Sequence, residues 1–532
     1  MTTKHNVINI HNLIARGFIN IYVYIFAAIV GLMAVVSLTT TITFEMYSEN
    51  DLPQMSIDNV PLLVITAALL MAYFYHVRYK TDVLENPKGV TIIVVAVAAA
   101  FMLTLIFTVH PLAVTDGLTL DNCINEFASG DYSSLTEKGG YLNIYPFQLG
   151  YVAFGELMYH LFGASNYTAY QIVNVIVILM IVLSLYLITW ECFEERQVSS
   201  IAAMLGLLLV FLYVYSVYIY TDIISLGPEI LALYLQIRFM KYGKVRDEII
   251  AAVVVAISVM LKMNSYIAVI AMVVMLVLDL VRKITDRDNT ELRNSMMNRL
   301  FIIIKYVVLM ALIVILSSGS TKLINNYYAN RIGIESIPEG VPRTAHIAMA
   351  LQESGTENGW YNAYNVNVFA ANDYDTEAAN IEATENIKER ISLFIEHPYY
   401  AVRFFVRKFV MQWADPTCVA MRNLELTSRH VEGQGWLCNF LVYGTGKTIL
   451  EWIMNTAHLF MYAGAFSYIF FAIKNKKINF YAAFLILFIC GGMAFHEIWE
   501  ASGRYTMRYY VALLPLSAKG VENICKLWYD RH

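Results

Sequence analysis

The chain has 532 residues, 58% of them hydrophobic and 15% charged, with a mean hydropathy of +0.54. Soluble globular domains carry about 25% charged residues, so composition argues against a soluble protein and points to the membrane class, with no nucleic-acid partner implied. The formal net charge of −5 says little, because in such a chain the distribution of Lys and Arg over the loops matters more than their sum.

The stretch up to Gly17 is polar, and the apolar run after it is too long for a signal h-region, so no cleavable signal is expected. About twelve spans follow, near 18–42, 60–77, 89–110, 167–190, 200–220, 223–238, 248–261, 265–281, 300–318, 449–472, 479–498 and 505–526. The seventh and eighth are short; a single bent hairpin is the alternative. If the spans alternate, Lys4 and Arg16, then Arg78, Lys80 and Lys88, then Arg238, Lys241, Lys244 and Arg246 fall on one side. Arg282, Lys283, Arg287, Arg293 and Arg299, then Lys474, Lys476 and Lys477, fall there too. That side is cytoplasmic by the positive-inside rule, with both termini inside.

The expected architecture is an all-α polytopic membrane protein whose outer-face loops form an active site. Residues 1–318 form a membrane part with a first outer loop at 111–166, 319–448 an extracytoplasmic segment, and 449–532 the last spans. Within the outer segment a helix is predicted over Arg390–Trp413. Val402, Val406, Phe409 and Trp413 share one face, and Arg403, Arg407 and Lys408 the other. It either lies on the outer leaflet with its basic face among phosphates or packs on the spans with that face solvated. Six cysteines show no CxxC spacing. Cys418 and Cys438 share one outer loop, and either pair or remain two buried thiols.

Several polar residues stand out against this background. Asp116 follows the third span, and Leu120, Ile124 and Phe127 after it recur at helical spacing. It is either an N-cap or a general base for an acceptor hydroxyl. Asp222 follows Tyr213, Tyr215, Tyr218 and Tyr220, an interfacial aromatic cluster, and should lie level with Asp116. Glu229 lies two turns deeper: a functional acid, or one buried in a hydrogen bond to a Tyr or Asn. Lys262 and Asn264 interrupt an apolar run at an outer turn. Lys262 either binds a lipid-linked phosphate or snorkels to the interface. The last outer loop, His496 to Tyr505, packs His496, Glu497, Glu500 and Arg504 into nine residues. Arg504 offers a planar phosphate fork, which Glu500 would orient from one helical turn away. Gly444-Thr445-Gly446-Lys447-Thr448 imitates a P-loop ending, but Leu441 stands where its first Gly is required and no strand precedes it.

Asp116, Gly130-Asp131-Tyr132-Ser133, Gly139-Gly140-Tyr141-Leu142, Tyr145-Pro146-Phe147-Gln148-Leu149-Gly150 and Leu161-Phe162-Gly163 form a series. It resembles the polyprenyl-phosphate-sugar-dependent GT-C glycosyltransferases, among them the protein O-mannosyltransferases and lipid A aminoarabinose transferases. Its variant is similar to a group of multispan proteins of Gram-positive bacteria. Leu261-Lys262-Met263-Asn264, Gly359 to Asn365, Phe409 to Pro416, and Gly491-Gly492 through Tyr505 agree with it.

The resemblance implies a GT-C-like fold. Its donor would be a polyprenyl-phosphate sugar in the membrane lipid, and its acceptor a cell-envelope glycan or teichoic acid. It makes Asp116 the aspartate that acts as base or positions the acceptor, with Asp121 the second choice, and Asp222 the acid of a later loop that helps bind a metal or the donor. Those two would ligate Mg or Mn in members that use a metal. Arg504, with Lys262 or Arg407, would stabilise the leaving phosphate. Tyr145, Gln148, His496 and Glu500 would position donor or acceptor. Where relatives read Tyr-Pro-His-Gln, this chain has Phe147. Two rivals remain: a twelve-span transporter using Glu229 and Lys262, for which no matching halves are found, and a polysaccharide polymerase or ligase using the arginines of 319–448.

Overall fold

The structure, a computed structural model, describes residues 13–48, 51–285 and 296–531; Lys4, Arg287 and Arg293 of the charge argument lie outside these residues. In chain order it opens with α1 (Leu13–Thr39), a hairpin of β1 (Thr40–Phe44) and β2 (Pro53–Ile57), α2 (Val60–Lys80) and α3 (Pro87–Val109). The hairpin is antiparallel, with Thr40 opposite Ile57 and Phe44 opposite Pro53. Next come α4 (Thr115–Ser129), α5 (Leu149–Phe162), α6 (Tyr167–Phe193), α7 (Arg196–Leu207), α8 (Val210–Val214), α9 (Thr221–Tyr242), α10 (Val245–Leu261) and α11 (Tyr266–Ile284). The long α12 (Met296–Ile332) leads into α13 (Arg343–Ala350), α14 (Tyr364–Ala371), α15 (Thr376–Glu396), α16 (Pro398–Trp413) and α17 (Ala420–Ser428). The chain closes with α18 (Thr445–Lys474), α19 (Phe480–Ile498), α20 (Gly503–Tyr510) and α21 (Leu514–Tyr529).

Among the described residues, 8 helices are long and apolar enough to cross a membrane, and the α7–α8 stretch, bent by 54°, makes up to 9. The protein is a multi-pass membrane protein of helical class. The remaining expected spans coincide with α10, α11 and the α20–α21 pair. α10 has only 17 residues, and α11 carries Asp279, Arg282 and Lys283. α10 and α11 are two helices joined by a short turn at Met263–Ser265.

Four apolar helices start in the same way. Asn59, Asn86, Asn166 and Asn479 each accept backbone N–H bonds at the start of α2, α3, α6 and α19. Such caps satisfy donors that membrane or protein interior would leave orphaned. The buried core runs through the helical bundle, with α9 packed against α6, α10 and α11. The helix α12 runs through the 318/319 boundary unbroken, because a helix satisfies its own backbone whether or not lipid surrounds it.

The predicted helix over Arg390–Trp413 is two helices. α15 ends at Glu396 and α16 starts with Pro398 at its first position. Proline supplies no N–H to the preceding turn and clashes with it, but fits the start of a new helix. The predicted faces need correction too. Val402 and Val406 are exposed, whereas Lys408, assigned to the basic face, is fully buried. Its ammonium donates to the carbonyls of Ala350, Glu497 and Trp499, each at 2.9 Å. Three carbonyls replace the water that burial removes. Cys418 and Cys438 are free thiols, both buried.

Candidate active site

The site forms where the loop before α9, the α10–α11 turn and the start of α20 meet the first turn of α4. The close approach is written in glycines. A Cβ on Gly117 would lie 2.3 Å from the Ile219 carbonyl, and one on Gly150 would lie 1.9 Å from that of Met260. Without side chains at these positions, α4 packs on the 215–220 stretch and α5 on the end of α10.

Asp222 is in the first turn of α9 and is 2% exposed. It forms an ion pair with Lys262, which ends α10. Arg504, in the first turn of α20, brings its Nε within 3.9 Å of Asp222 Oδ2. Neither of those two atoms has a hydrogen-bond partner, although both are buried. The other guanidinium nitrogens donate to the Tyr218 hydroxyl at 3.1 Å and the Tyr505 hydroxyl at 3.3 Å. Both cations lie over the rings of Tyr220 and Tyr505, at 5.2 to 5.5 Å from the centroids. Aromatic faces stabilise desolvated cations there. Gln148 donates to the Tyr220 hydroxyl at 2.8 Å, which holds that ring in place.

Asp116 is not an N-cap. The cap position of α4 is Val114, and Asp116 lies inside the first turn. The expected core face holds, with Leu120, Ile124 and Phe127 buried. Burial, with the Asp116 carboxylate adding to it, holds the Tyr141 and Tyr145 phenols above their ordinary range, and Asp116 lies beside the Tyr141 hydroxyl. The Tyr218 hydroxyl lies between Arg504, from which it accepts, and Thr115 Oγ1 at 3.5 Å, the residue next to Asp116.

Glu500 is not one helical turn from Arg504. α19 ends at Ile498 and α20 starts at Gly503, with Ser502 accepting the Arg504 N–H as its cap. Glu500 reaches Arg504 through the Tyr505 hydroxyl, which donates to its Oε1 at 3.1 Å. Burial pushes the Glu500 carboxyl up to about 7, the nearby Arg504 opposing this and Asp116 adding to it.

The remaining predicted residues divide. Tyr145 stays at the site, its hydroxyl accepting from Asn365 at 3.4 Å and its ring set against Tyr141. Phe147 packs edgewise on Tyr145. Asp121 points elsewhere, accepting from Ser165 at 2.7 Å and Tyr167 at 3.0 Å, and so ties α4 to the 163–167 turn. His496 is fully buried behind Tyr505, its ring stacked on that ring at 5.7 Å. Arg407 makes a bidentate pair with Glu357 at 2.7 Å on each branch.

Glu229 takes neither a Tyr nor an Asn partner. It forms a buried ion pair with Arg508 and accepts from Ser265 at 2.7 Å. Sequence reasoning misses Arg508, and it misses Tyr141, Tyr218, Tyr220 and Tyr505 as site residues. The Arg504/Arg508 spacing, one helical turn just after a polar loop, was the available signal for the first. The Gly359–Asn365 stretch reaches the site by a strand-like contact, Ala501 N–H to Gly359 carbonyl at 2.9 Å.

Of the two candidate metal ligands, Asp222 is already neutralised by Lys262 and Arg504. Among the described residues, no three His, Cys, Asp or Glu side chains converge on one point. The donor set present does not fit a carboxylate-held cation at Asp222.

Residues 149–316 match the family described as dolichyl-phosphate-mannose-protein mannosyltransferase. This match upholds the GT-C resemblance drawn from the motifs. The matched stretch holds Asp222, Glu229 and Lys262, while Asp116 and Arg504 flank it. Among solved structures, the chain is similar to the Archaeoglobus fulgidus oligosaccharyltransferase, crystallised with a tethered acceptor peptide. The identity is 14% and the TM-score 0.41, over 83% of this chain and 50% of that one. The chain thus spans about half the length of that protein. No curated protein sequence matches it.

Proposed function

We propose that the protein is a glycosyltransferase that moves a monosaccharide from a polyprenyl-phosphate donor to a cell-envelope acceptor on the outer membrane face. The observation that carries this reading is the buried Lys262–Asp222–Arg504 cluster beside the Asp116 carboxylate. Together these are a cationic seat for a leaving phosphate and a base for an incoming hydroxyl. The family match over 149–316 supports the donor class, and the positive-inside argument supports the outward orientation and the cytoplasmic termini.

In this mechanism the acceptor oxygen attacks the anomeric carbon, and the bond from that carbon to the phosphate oxygen breaks. The electron pair leaves with the polyprenyl phosphate, whose added charge Lys262 and Arg504 stabilise in a low-dielectric site. The acceptor proton passes to Asp116. In-line displacement inverts the anomeric centre. The unpartnered Arg504 Nε and Asp222 Oδ2 suit one hydroxyl of the donor sugar, which accepts from the first and donates to the second. Asp222 is thereby a donor-positioning residue, and Tyr141 a positioning residue for Asp116. No step is routed through a metal ion.

The test is direct. Purified protein in detergent is given a polyprenyl-phosphate sugar labelled in the sugar, with an envelope glycan or teichoic acid. Label moving from the lipid to the acceptor supports the reading. In vesicles, movement of intact donor without bond cleavage overturns it in favour of a transporter.

A further inference from the structure

A layer of buried polar residues lies beneath the Lys262–Asp222–Arg504 cluster and is carried by the same three elements. Glu229 is two turns beyond Asp222 on α9, and Arg508 is one turn beyond Arg504 on α20. Ser265 closes the short turn that follows Lys262. All three are buried, as are Ser225 on α9 and Ser258 on α10.

Arg508 joins the layer. One guanidinium nitrogen forms the ion pair with Glu229 and also donates to Ser265 Oγ at 3.0 Å. The other donates to Ser225 Oγ at 3.2 Å, and that hydroxyl donates to the Asp222 carbonyl at 3.1 Å. Ser265 in turn donates to Glu229 at 2.7 Å. Ser258 Oγ lies 2.7 Å from Ser265 Oγ and 2.6 Å from the Ser225 carbonyl. The Ser258 carbonyl accepts the Lys262 N–H at 2.9 Å. The backbones that carry Asp222, Lys262 and Arg504 are thus all tied to one guanidinium.

Charge separates the roles of the two layers. Lys262 and Arg504 outnumber Asp222, so the upper layer keeps an excess positive charge that suits a phosphate. Glu229 and Arg508 cancel, so the lower layer adds no net charge to that seat. A buried ion pair is also weak stabilisation beside apolar residues of equal volume, because desolvation offsets the attraction. What a forked network does supply is a fixed spacing among α9, the α10–α11 turn and α20. Cations aimed at a leaving phosphate act through being held in place before reaction, and the groups that hold them are their packed and hydrogen-bonded neighbours.

We propose that Arg508, with Glu229 and Ser265, is a positioning residue that sets the spacing of Lys262 and Arg504 about the donor phosphate without touching the donor. The inference rests on the glycosyltransferase reading of the same site.

Its test uses full-length protein in one detergent, with radiolabelled polyprenyl-phosphate mannose as donor and an envelope glycan or teichoic acid as acceptor. It reads kcat, donor KM and the melting midpoint. Arg508→Lys keeps a cation for Glu229 but loses the second branch, because an ammonium is a point charge and not a fork. Ser265→Ala keeps the ion pair and removes the link to the Lys262 turn. Each is expected to lower kcat/KM by about tenfold, on the scale of a small misplacement of reacting groups, with the melting midpoint near that of wild type. The loss should include a rise in donor KM, which a smaller folded fraction cannot produce. The double variant should lose little more than Arg508→Lys alone, because both changes cut one path. Ser265→Ala removes a single hydroxyl, so it decides the matter if Arg508→Lys does not fold. Wild-type kcat/KM in either folded variant overturns the proposal. So does a fall in kcat at unchanged KM that tracks a lowered melting midpoint, and so do fully additive losses in the double variant. If wild type itself moves no label, the glycosyltransferase reading fails and takes this inference with it. Transfer by wild type with unaffected variants overturns this inference alone.

Discussion

Replacing Asp222 by Asn isolates the charge arrangement at the centre of the site. The carboxylate is 2% exposed and faces two cations, Lys262 in an ion pair and Arg504 at 3.9 Å. Its neutral isostere leaves both cations buried without an anion. Removing one partner of a buried pair costs about 3–5 kcal/mol, because the charge left behind stays desolvated. At about 2 °C per kcal/mol for large domains, this lowers the apparent melting midpoint by on the order of 5 °C or more. Lys262→Met alone should cost less, since Arg504 still faces Asp222. The double variant Asp222→Asn/Lys262→Met should regain much of the stability, because one of the two stranded cations is gone, yet remain inactive. The assay is thermal unfolding of the four proteins in one detergent at one scan rate, with label transfer measured in parallel. Additive midpoint losses in the double variant would refute the pairing argument. Retained transfer in it would refute the phosphate role of Lys262.

Other predictions follow from the same geometry. Glu500 is pushed from 4.5 to about 7 in the folded protein, so its native state holds a proton that the unfolded state loses. Its contribution to stability is therefore complete below about 4.5 and lost as pH rises through about 7. The melting midpoint should fall across that window in wild type and fall less in Glu500→Gln. Gly117→Ala drives a methyl into the Ile219 carbonyl 2.3 Å away. It should cost about 1–3 kcal/mol and reduce kcat more than it changes KM for the donor. Because no carboxylate cage converges here among the described residues, EDTA should leave transfer within about twofold of its untreated rate; a loss restored by Mg or Mn would refute this.

The helices were legible because the apolar runs are long and the basic loops alternate. The expected spans fall largely on helices, and among the described residues 8, or up to 9, of these helices are long and apolar enough to cross a membrane, where a chain has few other ways to satisfy its backbone. The site was legible in part. Asp222, Lys262 and Arg504 each break an apolar context with a charge, and the structure brings all three together. What sequence could not give was which charges serve one another. Lys408, Arg407 and Arg504 look alike as basic residues near aromatic ones. Three carbonyls consume the first, Glu357 the second, and only the third reaches Asp222. Asp121 and Asp116 differ by five positions on α4 and so point to different faces, a distinction that helical phase alone left open. The tyrosines were read as an interfacial belt, which accounts for their number but not for their hydroxyls lining the site.

The most direct measurement compares wild type with Asp116→Asn, both folded in the same detergent, for transfer of label from polyprenyl-phosphate sugar to acceptor. The account predicts a fall in kcat of at least about 100-fold, the contribution of a positioned base, with donor binding retained, because Lys262 and Arg504 remain. Turnover by Asp116→Asn at the wild-type rate would contradict it.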